Sequence, residues 1–273
     1  MGFAHFGALL LMWDRPRVAV GDTFRAPTRF RGASRPAPIV GTVQRQTEEY
    51  LHQWWADRFG IERSAVWASV TARPHGMLGD YPGFFVAWRD AGLHVSLPAG
   101  VGPGVERELA GHPVEDLQQP GFWHDFAATR GIEVIGPSTH LYLDVDPGSG
   151  GGLRTPTVDE LASLRARAGD EDWRESGFAD APADRTFGVH VDGLLVAASN
   201  LNLFDGHPRD IGVLVAPEAR GRGLAPVVAR HAASYAVREH GLARWGARDT
   251  NLASLATARR LGFEPFCTQL AMR

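Results

Sequence analysis

The stretch Val213-Leu214-Val215-Ala216-Pro217-Glu218-Ala219-Arg220-Gly221-Arg222-Gly223-Leu224-Ala225 decides how this chain is read. An apolar strand closes at Pro217, a loop with two glycines follows, and a helix begins at once. In that helix Leu224, Val227, Val228, Ala232, Tyr235 and Ala236 recur at helical spacing until Gly241 ends it. The first turn of a helix leaves backbone N–H groups without internal partners, and its dipole makes that end positive. Glycine lets the loop take positive φ and come close to an anion. A strand, a glycine loop and a helix in this order therefore make a diphosphate cradle. Arg220 and Arg222 add charge, and Pro226 suits a first helical turn, where its missing N–H costs little. Because position 226 is Pro, the Gly-x-Gly-x-x-Gly fingerprint is absent and a dinucleotide fold is disfavoured.

The surrounding second half reads as one α/β domain over 154–273. Thr157 and Glu160 form a capping box ahead of Leu161 and Leu164, with Gly169 as the stop. A strand over 186–191 turns at Asp192-Gly193 into a second over 194–203, and a third spans 211–215. After the long helix come a strand over 243–247, a helix over 252–261 closed by Gly262, and a last strand to Met272.

The first half is expected to hold a second α/β domain over 41–147. A helix runs from Thr42 through Trp54, Trp55 and Phe59 to Gly60, followed by strands over 66–70, 84–88 and 93–97. Helices follow after Gly104 and over 122–129, and a strand over 140–145 ends the half. The run 148–153 is glycine-rich and reads as a linker. Residues 1–40 carry six Arg against two Asp and four Pro, without periodicity. They read as a solvated basic tail, with an arm for an acidic partner as the alternative.

Composition closes several doors. All 28 basic residues are Arg, which removes a Walker A loop, a kinase phosphate-binding Lys and Schiff-base chemistry. Codon bias in a GC-rich genome is the plain cause. A net charge of −3 gives no sign of a nucleic-acid partner. The single Cys267 excludes internal disulfides and fits a reducing cytoplasm. The apolar run from Gly7 to Trp13 is too short for a membrane span. No pair of His stands at helical metal-ligand spacing. Asp144 and Asp146 start like a calcium loop, but Thr155 stands where the closing Glu belongs. No metal is expected.

The pattern Arg220-x-x-Gly223-x-Ala225 after a strand ending Val215-x-Pro217 resembles the acyl-CoA signature of the GNAT superfamily of N-acetyltransferases. Downstream, Asn251-Leu252-Ala253-Ser254 and Leu261-Gly262-Phe263-Glu264 extend the likeness over roughly 154–273. The resemblance implies a mixed, mostly antiparallel central sheet flanked by helices. It implies that the backbone of Leu214 and Val215 takes the pantetheine arm, and that the N–H groups of Arg220, Gly221, Arg222, Gly223, Leu224 and Ala225 hold the diphosphate. Asn251 and Ser254 would line the other side of the cleft. An amine would then attack the thioester of acetyl-CoA directly, with no covalent enzyme intermediate.

Two positions depart from the family pattern. Ala258 stands where a Tyr commonly protonates the leaving thiolate, and Arg209 where a Glu base often stands. Asp210, one residue out of register unless a bulge corrects it, and Asp249 are the candidate bases, beside a water relay with no dedicated base. His190 and Asn202 could face the acceptor, or serve as ordinary packing residues; Trp173 and Phe178 are candidate lid aromatics or core.

The first half echoes the second locally. Gly131-Ile132-Glu133 resembles Gly262-Phe263-Glu264, and Pro98 precedes Gly100, Gly102 and Gly104 as Pro217 precedes the cradle. A degenerate GNAT-like copy and an unrelated α/β domain both stand as readings. The function expected is a cytoplasmic acyl-CoA N-acyltransferase acting on a small amine or amino-acid-like acceptor. The alternative is a non-catalytic acyl-CoA-binding or oligomerising module. Neither a nucleic acid nor a membrane is an expected partner, and a homodimer is compatible with both readings.

Overall fold

The computed structural model describes residues 43–101, 104–149, 151, 153–178 and 185–273. The basic tail over 1–40, and Gly102 of the first-half glycine loop, lie outside these residues. The described chain runs α1 (Arg45–Phe59), β1 (Val70–Pro74), β2 (Phe84–Arg89), β3 (Gly92–Leu97), α2 (Gly104–Ala110), α3 (Val114–Leu117), α4 (Pro120–Ala128) and β4 (Val134–Leu143). It continues α5 (Val158–Ala168), α6 (Asp170–Glu175), β5 (Thr186–Val191), β6 (Leu194–Phe204), β7 (His207–Val215), α7 (Leu224–His240), β8 (Ala243–Arg248), α8 (Leu252–Arg260) and β9 (Glu264–Met272). It forms a mixed, mostly antiparallel α/β structure that divides into two compact units. Unit 1 is built on Tyr142–Trp245 and Ala253–Glu264; unit 2 on Gln44–Leu141, Gly246–Leu252 and Pro265–Arg273.

In unit 1 the strand order is β8-β7-β6-β5. Two tight hairpins build it. Asp192 and Gly193 have φ of 50° and 79°, and Asp205 and Gly206 have 54° and 71°. Positive φ at both central residues is the turn whose twist matches paired strands. The second hairpin starts β7 at His207 rather than at Ile211, where the apolar run begins. Pro208 and Arg209 hide this start, because β7 carries a bulge there. Leu203 pairs with Pro208 and Asn202 with Asp210, which leaves Arg209 as the extra residue.

Each face of this sheet is covered. On one, the small residues Ala229, Ala232, Ala233 and Ala236 let α7 lie close, and Ser199 Oγ donates to Val228 O at 2.8 Å. On the other, Leu164 of α5 and Phe178 pack with Ala198 and Leu214. The Thr157–Glu160 capping box starts α5: Glu160 N donates to Thr157 Oγ1 at 3.2 Å and Thr157 N to Glu160 Oε2 at 2.8 Å. Gly169 ends α5, yet α6 starts at the very next residue. Its acidic sequence Asp-Glu-Asp-Trp-Arg-Glu has no apolar period, so only tertiary support reveals it.

Unit 2 has the order β1-β3-β2-β9-β4, with β1 parallel to β3 and β9 antiparallel to β2. The last strand of the chain thus belongs to the unit formed by its first half. In unit 1 the parallel neighbour of β7 follows it in sequence, as β8; in unit 2 the parallel neighbour of β3 precedes it, as β1. The two units therefore differ in strand order, and the reading of a degenerate copy gains nothing from topology.

The first strand lies at 70–74 instead of 66–70. Val66 and Trp67 are buried in a turn, and a Cβ on Gly92 would come within 2.2 Å of the Trp67 backbone. That close approach requires glycine at the start of β3. β4 likewise starts at Val134, before the apolar run that sequence reading identified. One face of the sheet holds Trp123, Phe126, Val86, Val95 and Leu270. The other holds the α1 aromatics, with Phe59 stacked on the His94 ring at 4.0 Å. Cys267 is buried.

His94 accepts or donates one short bond, to Thr71 Oγ1 at 2.6 Å. Burial drives its pKa down from 6.5 to about 3, and Arg73 adds to the effect. A histidine with a depressed native pKa contributes stability above its unfolded pKa, and that stability is lost as pH falls toward the native value. The melting temperature should therefore drop between pH 6.5 and pH 4 in the full chain. His94→Gln, which stays neutral, should show a shallower slope over the same interval; equal slopes would show that other groups set the acid response.

Candidate active site

β7 pairs with β8 in parallel at one position, Asp210 with Arg244. On its other edge β7 stays paired with β6 up to Val215, and Ala216 N donates to Val196 O at 2.9 Å. Antiparallel ladders alternate, so Leu214 and Ala216 turn their backbone groups to β6 while Val213 and Val215 turn theirs away. The strand therefore offers the N–H and C=O of Val215 beyond the point where β7 and β8 cease to pair. Leu214 contributes its side chain to the core and is 4% exposed.

Past Val215 the chain makes a 3-10 turn over Pro217–Ala219 and enters the glycine loop. Gly221 and Gly223 have φ of 75° and 74°, the left-handed region that only glycine adopts at little cost. A Cβ built on either meets nothing within 4 Å, so the space in front of the loop is open. Gly223 is the N-cap of α7, and no side chain caps that helix start. The N–H groups of Leu224 and Ala225 thus face an open, positive helix end, fit for a diphosphate. Arg222 is exposed beside them and makes no hydrogen bond among the described residues.

The Asp210–Arg244 pair sits at the fork. Arg244 Nη1 lies 3.3 Å from Asp210 Oδ2, with side-chain exposures of 6% and 13%, and the guanidinium also stacks 4.9 Å from the Phe204 ring centroid. Sequence reading missed Arg244, because pairing across parallel strands leaves no local mark; an Arg inside the apolar run 242–247 was the signal. The bulge keeps Asp210 on the Leu214 face, and sends Arg209 to the α7 face. There Arg209 donates to His240 O from Nε at 3.1 Å and Nη2 at 2.6 Å, holding the last turn of the helix. Arg209 is 2% exposed and performs a structural task.

On the Asp210 face, Asn200 and Asn202 both donate to Gly177 O, at 2.7 and 2.9 Å. A Cβ on Gly212 would fall 2.0 Å from Asn200 Oδ1 and 2.0 Å from Ser176 O. Glycine at 212 is what lets the end of α6 lie against β7. Phe178 is core at 2% exposure, and Trp173 lies 5.0 Å from it, partly exposed. His190 faces Glu160 at 3.3 Å. Glu160 is held at a pKa of about 2, chiefly by Arg154, whose Nη1 donates to it at 2.8 Å, and by the Thr157 N–H. Glu218, beside the loop, is also shifted down, first by its own N–H and then by Arg167.

Other expected residues find different partners. Ser254 accepts from Trp245 Nε1 at 2.9 Å. Asn251 is exposed, with its N–H on Arg248 O at 2.8 Å, and belongs to unit 2. Asp249, also in unit 2, accepts from Thr139 Oγ1 at 2.6 Å, and its N–H donates to Pro137 O at 3.0 Å. Ala258 is fully buried, and its carbonyl accepts from Phe263 N at 3.1 Å. Among the described residues no group of three or more His, Cys, Asp or Glu is placed to hold a metal, and no helix is long and apolar enough to cross a membrane.

Residues 156–263 match the model of the acetyltransferase (GNAT) family. Among solved structures, an acetyltransferase from the GNAT family of Colwellia psychrerythraea is 19% identical, with 51% of this chain and 56% of that chain covered and a TM-score of 0.42. A GCN5-related N-acetyltransferase from Kribbella flavida is 24% identical over 56% of this chain and 63% of its own, with a TM-score of 0.39. A tandem GNAT protein from the clavulanic acid biosynthesis pathway is 21% identical over 69% and 63%, with a TM-score of 0.39. The chain spans less than two thirds of the length of each of these three. No curated protein matches it.

If the loop is a cradle, Gly223→Val should weaken CoA binding by more than tenfold in calorimetry, because a side chain then stands where the diphosphate lies. Unchanged affinity in a folded variant would make the loop a plain turn.

Proposed function

We propose that the chain, whose residues 156–263 match the model of the acetyltransferase (GNAT) family, is an acyl-CoA-dependent N-acyltransferase. It uses acetyl-CoA and acylates a primary amine of a small metabolite. The observation that carries the reading is the forked strand beside an uncapped, glycine-led helix start. Val215 turns its backbone groups away from β6, 8–10 positions before the first-turn N–H groups that suit a diphosphate, with its carbonyl accepting only from the exposed Arg220 side chain among the described residues. An extended amide-bearing arm that ends in a diphosphate is the ligand chemistry this layout fits. The thioester supplies an acyl carbon bonded to a good leaving group.

The residues then have separate tasks. The Val215 backbone pairs with the arm as an added strand would, which fixes its depth. Arg222 and the N–H groups of Gly223 to Ala225 hold the anionic end. Asp210 is the base of first choice, since it lies in the same unit as the cradle, on the face closed by Asn202 and Gly177. It takes the ammonium proton, the freed amine attacks the acyl carbon, and CoA leaves as the thiolate. Arg244 orients the carboxylate. Asp249 is the second choice, because its carboxylate already accepts from Thr139. No side chain at 258 can return a proton to sulfur, so water does so; a thiolate needs little help in leaving. A cytoplasmic setting, where acetyl-CoA is available as co-substrate, belongs to the same reading.

One observation favours a second reading, in which the chain binds acyl-CoA without turnover: Asp210 is already paired with a buried guanidinium. Thiol release from acetyl-CoA against a panel of small amines separates the two. The first reading expects turnover with at least one amine. Asp210→Asn should then lower kcat by about 10²-fold, as loss of a general base does, with KM for acetyl-CoA within about twofold. CoA binding without turnover on any amine would support the second reading.

A further inference from the structure

The two arginines of the cradle are used differently. Arg222 points into the open, without a hydrogen bond among the described residues, but Arg220 is engaged inside unit 1. Its Nε donates to Val215 O at 3.3 Å, and its Nη2 pairs with Asp172 Oδ2 on α6. Val215 O is the outward carbonyl of β7, the acceptor an amide of the pantetheine arm would meet. Asp172 meanwhile neutralises the charge that a phosphate would otherwise attract. Both Arg220 and Asp172 are half-exposed, so the contact is exchangeable rather than a fixture of the core.

The geometry points to Arg220 as an internal stopper that makes the site selective for thioesters bearing a diphosphate. The inference rests on the acyl-CoA reading of the cradle. A CoA thioester brings two phosphates to the loop and draws the guanidinium off Asp172 and Val215, so the stopper becomes a ligand contact. A pantetheine thioester brings no charge there and must displace Arg220 from Val215 with nothing in return. Asp172 sets how hard Arg220 is to draw away. Selection thus comes from an occupied backbone acceptor, which a cradle of bare N–H groups would not provide.

Calorimetry on the full chain with CoA, and competition by pantetheine against CoA, test this in the wild type, Asp172→Asn and Arg220→Met. Both substitutions are at half-exposed positions, and circular dichroism confirms that the variants are folded. Asp172→Asn should tighten CoA about two- to fivefold, the fold-change an exposed ion pair carries. Arg220→Met should weaken CoA yet tighten pantetheine by about the same factor, which narrows the preference between the two. A role for Arg220 in stability alone would lower both affinities or neither. Unchanged CoA affinity in Asp172→Asn, or unchanged pantetheine affinity in Arg220→Met, overturns the stopper while leaving the cradle intact. Failure of the wild type to bind CoA overturns the cradle and the stopper together.

Discussion

The site depends on one break in backbone pairing. β7 is held to β6 along its length but meets β8 only at Asp210 and Arg244. Unpaired strand groups are costly when buried and are a template for another chain or ligand when open. Everything proposed for the site follows from leaving the Val215 edge open. The bulge at Arg209 and the ion pair at the fork fix where the opening begins, and the glycine loop fixes where it ends.

The supporting structure is arranged to hold that edge still. Ser199 ties β6 to α7 on one face, and Arg209 fastens the last turn of the same helix. On the other face the Ser176–Gly177 segment is received by glycine at 212 and fastened by Asn200 and Asn202. These are buried polar contacts, worth more in the interior than at the surface when their groups are paired. Their common effect is rigidity around a strand edge that no other strand pairs, which is what preorganised binding needs.

The glycine loop and the uncapped helix start are legible in the sequence because their signals are local. Two glycines at positive φ, a helix start without a capping side chain and Pro226 all lie within a few residues. The hairpin at Asp192-Gly193 and the capping box at Thr157 are legible for the same reason. What could not be read is set by distant contact. β1, an edge strand with no alternation, shows no pattern, and α6 has no apolar period. The partnership of Asp210 with Arg244 joins residues far apart in sequence, and so does the pairing of β9 with β2. The partners of His190, Asn202 and Ser254, namely Glu160, Gly177 O and Trp245, are likewise far from them in sequence or on another element.

The central claim is that a CoA arm pairs with the open edge of β7 while its diphosphate rests on the start of α7. Amide hydrogen exchange of the full chain, with and without CoA, tests it most directly. The account predicts slowed exchange at Val215 and at Gly223, Leu224 and Ala225, with the β6–β7 ladder unchanged. Protection confined to other segments, or none at saturating CoA, would contradict it.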